Sequence, residues 1–146
     1  MEKVLVGRPL VPGSAHGLAV VSNEPLSLCG GFDPHSGKIT DVRHDRSGAV
    51  LAGKVFVFPF GKGSSTASRV LIEAIRCRRA PVAIVNAKVD PILVLGSVIA
   101  QEFYQEAVPI VVLSRADFDS IVQGDYLVIE SSGTVRLRRD TEHHDQ

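Results

Sequence analysis

A chain of 146 residues is sized for one domain. Its 45 % hydrophobic and 22 % charged residues are ordinary for a globular protein, so a core can form without disulfide or metal staples. The 16 Lys and Arg balance the 16 Asp and Glu, and the lack of a basic excess argues against a nucleic-acid or membrane-surface protein.

The first half reads as short strands and turns. Val4–Val6 and Leu18–Ser22 are apolar and β-prone, with Pro12-Gly13-Ser14 between them. Residues 30–53 form an irregular stretch rich in Gly, Asp, His and Pro, and stretches of this length in a compact domain are usually functional or disordered. Ile39, Val42, Val50 and Leu51 recur within it, which points to ordered excursions over a core. The second half changes character. Lys54–Pro59 is a near-continuous apolar run, the pattern of a strand buried on both faces. A helix is predicted over Thr66–Arg78, with Val70, Leu71, Ala74, Ile75 and Cys77 mostly on one face and Arg69, Glu73 and Arg76 mainly on the other. Val82–Val85 is a second buried strand, and a helix over Pro91–Tyr104 starts with proline in its first turn. A third strand at Pro109–Leu113, a short helix at Arg115–Val122 and a hairpin from Gly124–Glu130 to Thr134–Arg138 complete the pattern. Alternating strands and helices imply βαβ units and a parallel sheet, and the flanking hairpins imply a second, antiparallel layer. Residues 1–138 are expected to form one domain and 139–146 a disordered polar tail.

The N-terminal apolar run breaks at Gly7-Arg8-Pro9, too early for a signal peptide, and the apolar stretch Pro91–Ala100 is half the length that spans a bilayer. A cytoplasmic location is the expectation. Cys29 and Cys77 are too few for a disulfide framework and form no CxxC pair, and a cluster takes three or four ligands. No metal site is therefore expected in the chain itself.

Gly61-Lys62-Gly63-Ser64-Ser65-Thr66 is the sharpest chemical feature, set between a buried strand and the first turn of a helix. Its glycines allow close backbone approach to a ligand, and the helix start offers unpaired N–H groups and positive potential to an anion. Lys62 adds a cation. The run is not a P-loop, because Lys62 precedes the second glycine. A plain reading is that Ser64, Ser65 or Thr66 caps the helix; the two readings are compatible, since one hydroxyl can cap while another reacts.

Gly30-Gly31-Phe32-Asp33-Pro34-His35-Ser36-Gly37-Lys38-Ile39-Thr40-Asp41, the run from Gly53 through Thr66, and Pro81–Asn86 together resemble the small subunit of aconitase X-type dehydratases over most of residues 7–130. The resemblance implies an α/β, swivelling β/β/α domain similar to the mobile fourth domain of aconitase. It implies a hydro-lyase that works as two subunits and is inactive as the small subunit alone, with an iron–sulfur cluster held by the large subunit. Aconitase has a G-x-G-S-S-R run whose first Ser is the catalytic base. By position the base here is Ser64, with Lys62, Gly63, Ser65 and Thr66 around the substrate. Thr66 stands where aconitase has a carboxylate-binding Arg, which leaves that contact open. The known substrates of the family are cis-3-hydroxy-L-proline and mevalonate 5-phosphate. Residues 100–113 look like the longer bacterial form, which favours the hydroxyproline.

Two rival readings stay open. One is a phosphoryl-carrier swivelling domain, similar in its Gly13–Gly17 start, although that domain carries phosphate on a His after a Ser and here Ser65 and Thr66 follow Ser64. The other is a non-catalytic anion-binding module. Cys29 is expected to be a small buried hydrophobe and Cys77 to pack. Asp33, Asp41 and His44 either face the large subunit or serve as turn residues. His143 and His144 are expected to be solvated tail.

Overall fold

A computed structural model of the chain describes residues 1–63 and 65–139. Its strands are β1 (Glu2–Val6), β2 (Arg8–Val11), β3 (Ala15–Val21), β4 (Phe32–Asp33), β5 (Lys38–Ile39), β6 (Val55–Val57), β7 (Ala83–Asn86), β8 (Ile110–Val112), β9 (Tyr126–Ile129) and β10 (Thr134–Arg138). Its helices are α1 (Leu28–Gly31), α2 (Thr66–Arg76), α3 (Pro91–Tyr104) and α4 (Arg115–Asp119).

Eight of these strands form one sheet in the order β1-β10-β9-β3-β6-β7-β8-β2. In the parallel part, β3-β6-β7-β8, residues 22–54 connect β3 to β6, and α2 and α3 make the crossovers from β6 to β7 and from β7 to β8. The expected antiparallel layer is present but is not a separate sheet. β3 joins the two parts: Ala15–Leu18 pair antiparallel with β9, and Ala19–Val21 pair parallel with β6. The first and last strands of the order, β1 and β2, are consecutive in the chain and separated by Gly7 alone, so the sheet curls nearly into a barrel. Gly7 N–H donates to the Gly133 carbonyl at 3.0 Å, and a Cβ at Gly7 would collide with Val111.

Alternation along each strand divides the core in two. Leu5, Ala19, Val55, Val57, Ala83, Val85, Val111, Leu127, Ile129, Val135 and Leu137 fill the inside of the curled sheet, with Phe118 and Ile121 packed among them. Val20, Phe56, Phe58, Ile84 and Ile110 pack on the other side against Leu71, Ala74 and Ile75 of α2 and Leu93 and Ala100 of α3. Because both faces of β6 and β7 are covered, their sequences are continuous apolar runs rather than alternating ones.

α3 and β10 have their expected bounds. α2 stops two residues early, because Arg78 turns the chain at φ 59°. Arg78 N–H donates to the Ile75 carbonyl and Arg79 N–H to the Ala74 carbonyl, a Schellman ending. α4 stops at Asp119 rather than Val122. Arg139, expected to belong to the tail, is tied to the fold through the buried Asp125 carboxylate. Residues 140–146, with His143 and His144, lie outside the described residues.

Within the irregular stretch, Ile39 and Leu51 are buried as expected, but Val42 and Val50 are exposed. The stretch contains the hairpin β4–β5, in which Phe32 pairs with Ile39. Cys29 is exposed, contrary to expectation. α1 is broken there, with Cys29 at ψ 106° and Gly30 at φ 86°, so the turn buries Leu28 and Gly31 and leaves Cys29 outside. Among the described residues no helix is long and apolar enough to cross a membrane.

Candidate functional site

The carboxyl ends of β6 and β7 lie side by side and set the site. Asn86, the last residue of β7, is fully buried and donates from Nδ2 to the Phe58 carbonyl at 2.9 Å. The amides of Ala87 and Lys88 then donate to the Pro59 carbonyl. This holds the two exits together and delivers Phe60-Gly61-Lys62-Gly63 to the surface, in the position where open α/β sheets bind ligands. Lys88 Nζ stands 5.2 Å from the centre of the Phe60 ring, which places a second cation at this end of the sheet.

The loop is fastened from two sides. On one, Leu26 N–H donates to the Phe60 carbonyl and Lys62 N–H donates to the Leu26 carbonyl at 3.1 Å, a single parallel bridge. On the other, Gly61 N–H donates to Asp90 Oδ2 at 2.7 Å. Glycine is required at both glycine positions. A Cβ on Gly61 would run into Asp90 Oδ2, and Gly63 has φ 111°, with Ser27 Oγ 2.8 Å from where its Cβ would be.

The structure brings Lys62, Gly63, Ser65 and Thr66 together at the start of α2; Ser64, the expected base, lies outside the described residues. Lys62, Gly63, Ser65 and Thr66 are all exposed. Ser65 occupies the N-cap position but with helical backbone angles, φ −57° and ψ −17°, and its side chain makes no capping hydrogen bond. Its carbonyl instead accepts from the amide and hydroxyl of Ser68. The first turn of α2 contains no acidic residue. Its positive end therefore faces outward without an anionic side chain of that turn to neutralise it, beside Lys62, and this arrangement suits an anion or a developing negative charge.

Asp33, Asp41 and His44 are structural. Asp33 Oδ1 accepts from the His35 amide, and that hydrogen bond chiefly holds the carboxyl below its ordinary range. Asp41 Oδ1 accepts from the Arg43 amide. His44 is buried, accepts from the Arg46 amide at Nδ1, and sets Nε2 3.3 Å from Ser22 Oγ, which fastens the irregular stretch to the end of β3. These contacts give the three residues turn and packing roles.

His35, Glu73 and Cys77 form a group with metal-ligating atoms within 4.8 Å of one another. It lies at the far end of α2 from the loop, and Arg76 already engages both Glu73 oxygens, at 2.6 and 2.9 Å. Cys29 and Cys77 offer two of the three or four thiolates that an iron–sulfur cluster takes, and Cys77 belongs to this distant group. The residues of this chain do not fit a cluster.

Sequence reasoning missed Asp90, Phe60 and Lys88. Asp90 was legible as a helix cap, since it immediately precedes Pro91; its bond to Gly61 crosses 29 positions and leaves no local pattern.

A family model of the aconitase X swivel domain matches residues 4–137. The chain belongs to the aconitase X swivel-domain family. It is 34 % identical over 129 residues to the phosphomevalonate dehydratase small subunit of Methanosarcina acetivorans, covering 88 % of this chain and 85 % of that one. It is 38 % identical over 137 residues to the cis-3-hydroxy-L-proline dehydratase of Pseudomonas aeruginosa, covering 94 % of this chain but only 23 % of that enzyme. The crystal structure of Thermococcus kodakaraensis aconitase X in its holo-form superposes with a TM-score of 0.84 at 34 % identity, covering 94 % of this chain and 99 % of that one.

Proposed function

We propose that this chain is the small, Ser-bearing part of an aconitase X-type hydro-lyase, that residues 1–138 are its swivelling domain, and that Ser64 is its catalytic base. One observation carries the reading: Phe60, Gly61 and Lys62 are held at the carboxyl end of a buried strand, just ahead in sequence of the exposed start of α2. The partner is a large subunit, or the remainder of a longer chain as in the Pseudomonas enzyme. That partner carries the iron–sulfur cluster, whose contribution is Lewis-acid chemistry.

The work assigned to this chain is proton removal. Dehydration takes a proton from the carbon beside the substrate's acid group and releases hydroxide from the neighbouring carbon. The C–H electron pair becomes the new double bond, and the proton passes to the Ser64 oxygen. A serine hydroxyl is a weak base, so it must act as an alkoxide stabilised by nearby donors and cations. The α2 N-terminal amides and Lys62 supply that field, and Ser65, Thr66 and the Gly63 amide are placed to hold the substrate.

The substrate is a small hydroxy acid. cis-3-Hydroxy-L-proline is our first choice, on the likeness of residues 100–113 to the bacterial form. Mevalonate 5-phosphate is the alternative, favoured by the 85 % coverage of the Methanosarcina small subunit. Incubating the chain, assembled with its large subunit, with each compound separates them: turnover of only the phosphate would reject the first choice. A phosphohistidine on the chain after incubation with phosphoenolpyruvate would favour the phosphoryl-carrier reading instead.

A further inference from the structure

We propose that Asp90 is a positioning residue for the reaction, a carboxylate that fastens Gly61 to the start of α3. The inference rests on the reading of Ser64 as the base. Asp90 is 7 % exposed and uses its two oxygens for different tasks. Oδ1 accepts from the amides of Ile92 and Leu93 at 3.1 and 3.3 Å and so caps α3. Oδ2 accepts from Gly61 N–H at 2.7 Å, three positions ahead of Ser64.

Capping alone does not call for aspartate. Serine, threonine and asparagine cap comparably, and each needs one oxygen. Three backbone donors converge here, however, and aspartate is the short side chain that meets them with two acceptor oxygens. Asparagine would turn its amide on one of them. The shape of Gly61 points the same way, since a Cβ there would occupy the space of Asp90 Oδ2. With Leu26 bonded to the loop from the opposite side, Gly61 is held between two anchors. Their combined effect is to fix the backbone entering the reactive turn, and small misplacements of a reacting group cost rate steeply. Asp90 acts through the loop and not on the substrate.

The test uses the complete enzyme, with its large subunit and cluster, and whichever of cis-3-hydroxy-L-proline or mevalonate 5-phosphate it dehydrates. Asp90→Ser keeps one oxygen for the helix cap and gives up the Gly61 bond. We expect kcat to fall at least tenfold with KM within threefold, and exchange of the substrate proton with solvent to fall in parallel. Ser97→Ala is the control for a merely structural loss. Ser97 is buried in the middle of α3, where its hydroxyl donates to the Val108 carbonyl and accepts from the Val108 amide, away from the loop. It should lower the melting temperature and leave kcat unchanged. Wild-type kcat in Asp90→Ser would overturn the proposal, as would an equal loss in Ser97→Ala. If Asp90→Ser does not assemble, Asp90→Asn replaces it. Its oxygen is expected at the two cap amides and its NH2 against Gly61, so it should show the same tenfold loss, and wild-type kcat there overturns the proposal equally. Full turnover by Ser64→Ala would sink the underlying reading; a dead Ser64→Ala beside a fully active Asp90→Ser would sink this inference alone.

Discussion

Gly61 and Asp90 occupy one another's space: the amide of the first donates to the carboxylate of the second at 2.7 Å, and no Cβ fits between them. Gly61→Ala should therefore push the loop off its anchor. The expected cost is about 1–3 kcal/mol of stability, as for other overpacked sites, with a loss of turnover larger than the stability loss explains. Urea unfolding and steady-state kinetics on the same preparation check it, and an unchanged pair of values would show that the loop accommodates a methyl group.

Lys62 is exposed and adds its charge to the N-terminus of α2. Lys62→Met should leave the melting temperature within error and raise KM for an anionic substrate about tenfold, the equivalent of about 1.4 kcal/mol for one lost charge-assisted contact. Unchanged KM and kcat would show that Lys62 is only solvated.

Arg139 closes the fold at its far end. Its Nε and Nη2 donate to the two oxygens of Asp125, whose side chain is 1 % exposed, at 2.8 and 2.9 Å. Arg139→Ala leaves that carboxylate buried without its cation and should cost about 3 kcal/mol. A loss below about 1 kcal/mol on denaturant unfolding of Arg139→Ala would show that solvent reaches Asp125 readily.

Glu73 gives the chain an acid-sensitive contact. Hydrogen bonds from Arg76 and then His35 bring its pKa from 4.5 down to about 2. Because the folded value lies below the ordinary one, the contribution is complete above about pH 4.5 and is lost as pH falls from there through about 2. Glu73→Gln should flatten the fall of melting temperature across that window and leave the neutral range little changed, since the pair is solvent-exposed. Parallel acid limbs in the two proteins would contradict the assignment.

The parallel half of the fold was legible because burial on both faces writes itself into the sequence as unbroken apolar runs, as at Val55–Val57 and Ala83–Val85. The curl was not, because it depends on β3 pairing with one partner through Ala15–Leu18 and another through Ala19–Val21, and no local pattern marks that change. Cys29, expected to be buried as a small hydrophobe, was misread because the positive φ of Gly30 breaks the turn and leaves it outside, which residue type does not announce. At the site, the glycines and Lys62 were legible because their chemistry is carried by residue type. Asp90 was half legible: the Asp-Pro pair announces a cap, while the oxygen that reaches Gly61 is a tertiary contact.

Ser64→Ala, assembled with the large subunit, tests the central claim most directly. If Ser64 were only a helix cap, the substitution would cost about 1 kcal/mol of stability and spare activity. As the base, it should leave assembly and substrate binding intact while the rate falls by at least the ~10²–10⁴ typical of lost acid–base catalysis. Exchange of the abstracted proton with solvent should fall with it, and Ser65→Ala should retain that exchange. Exchange abolished by Ser65→Ala and kept by Ser64→Ala would move the base by one position. Exchange at the wild-type rate in both variants would contradict the account and place the base in the large subunit.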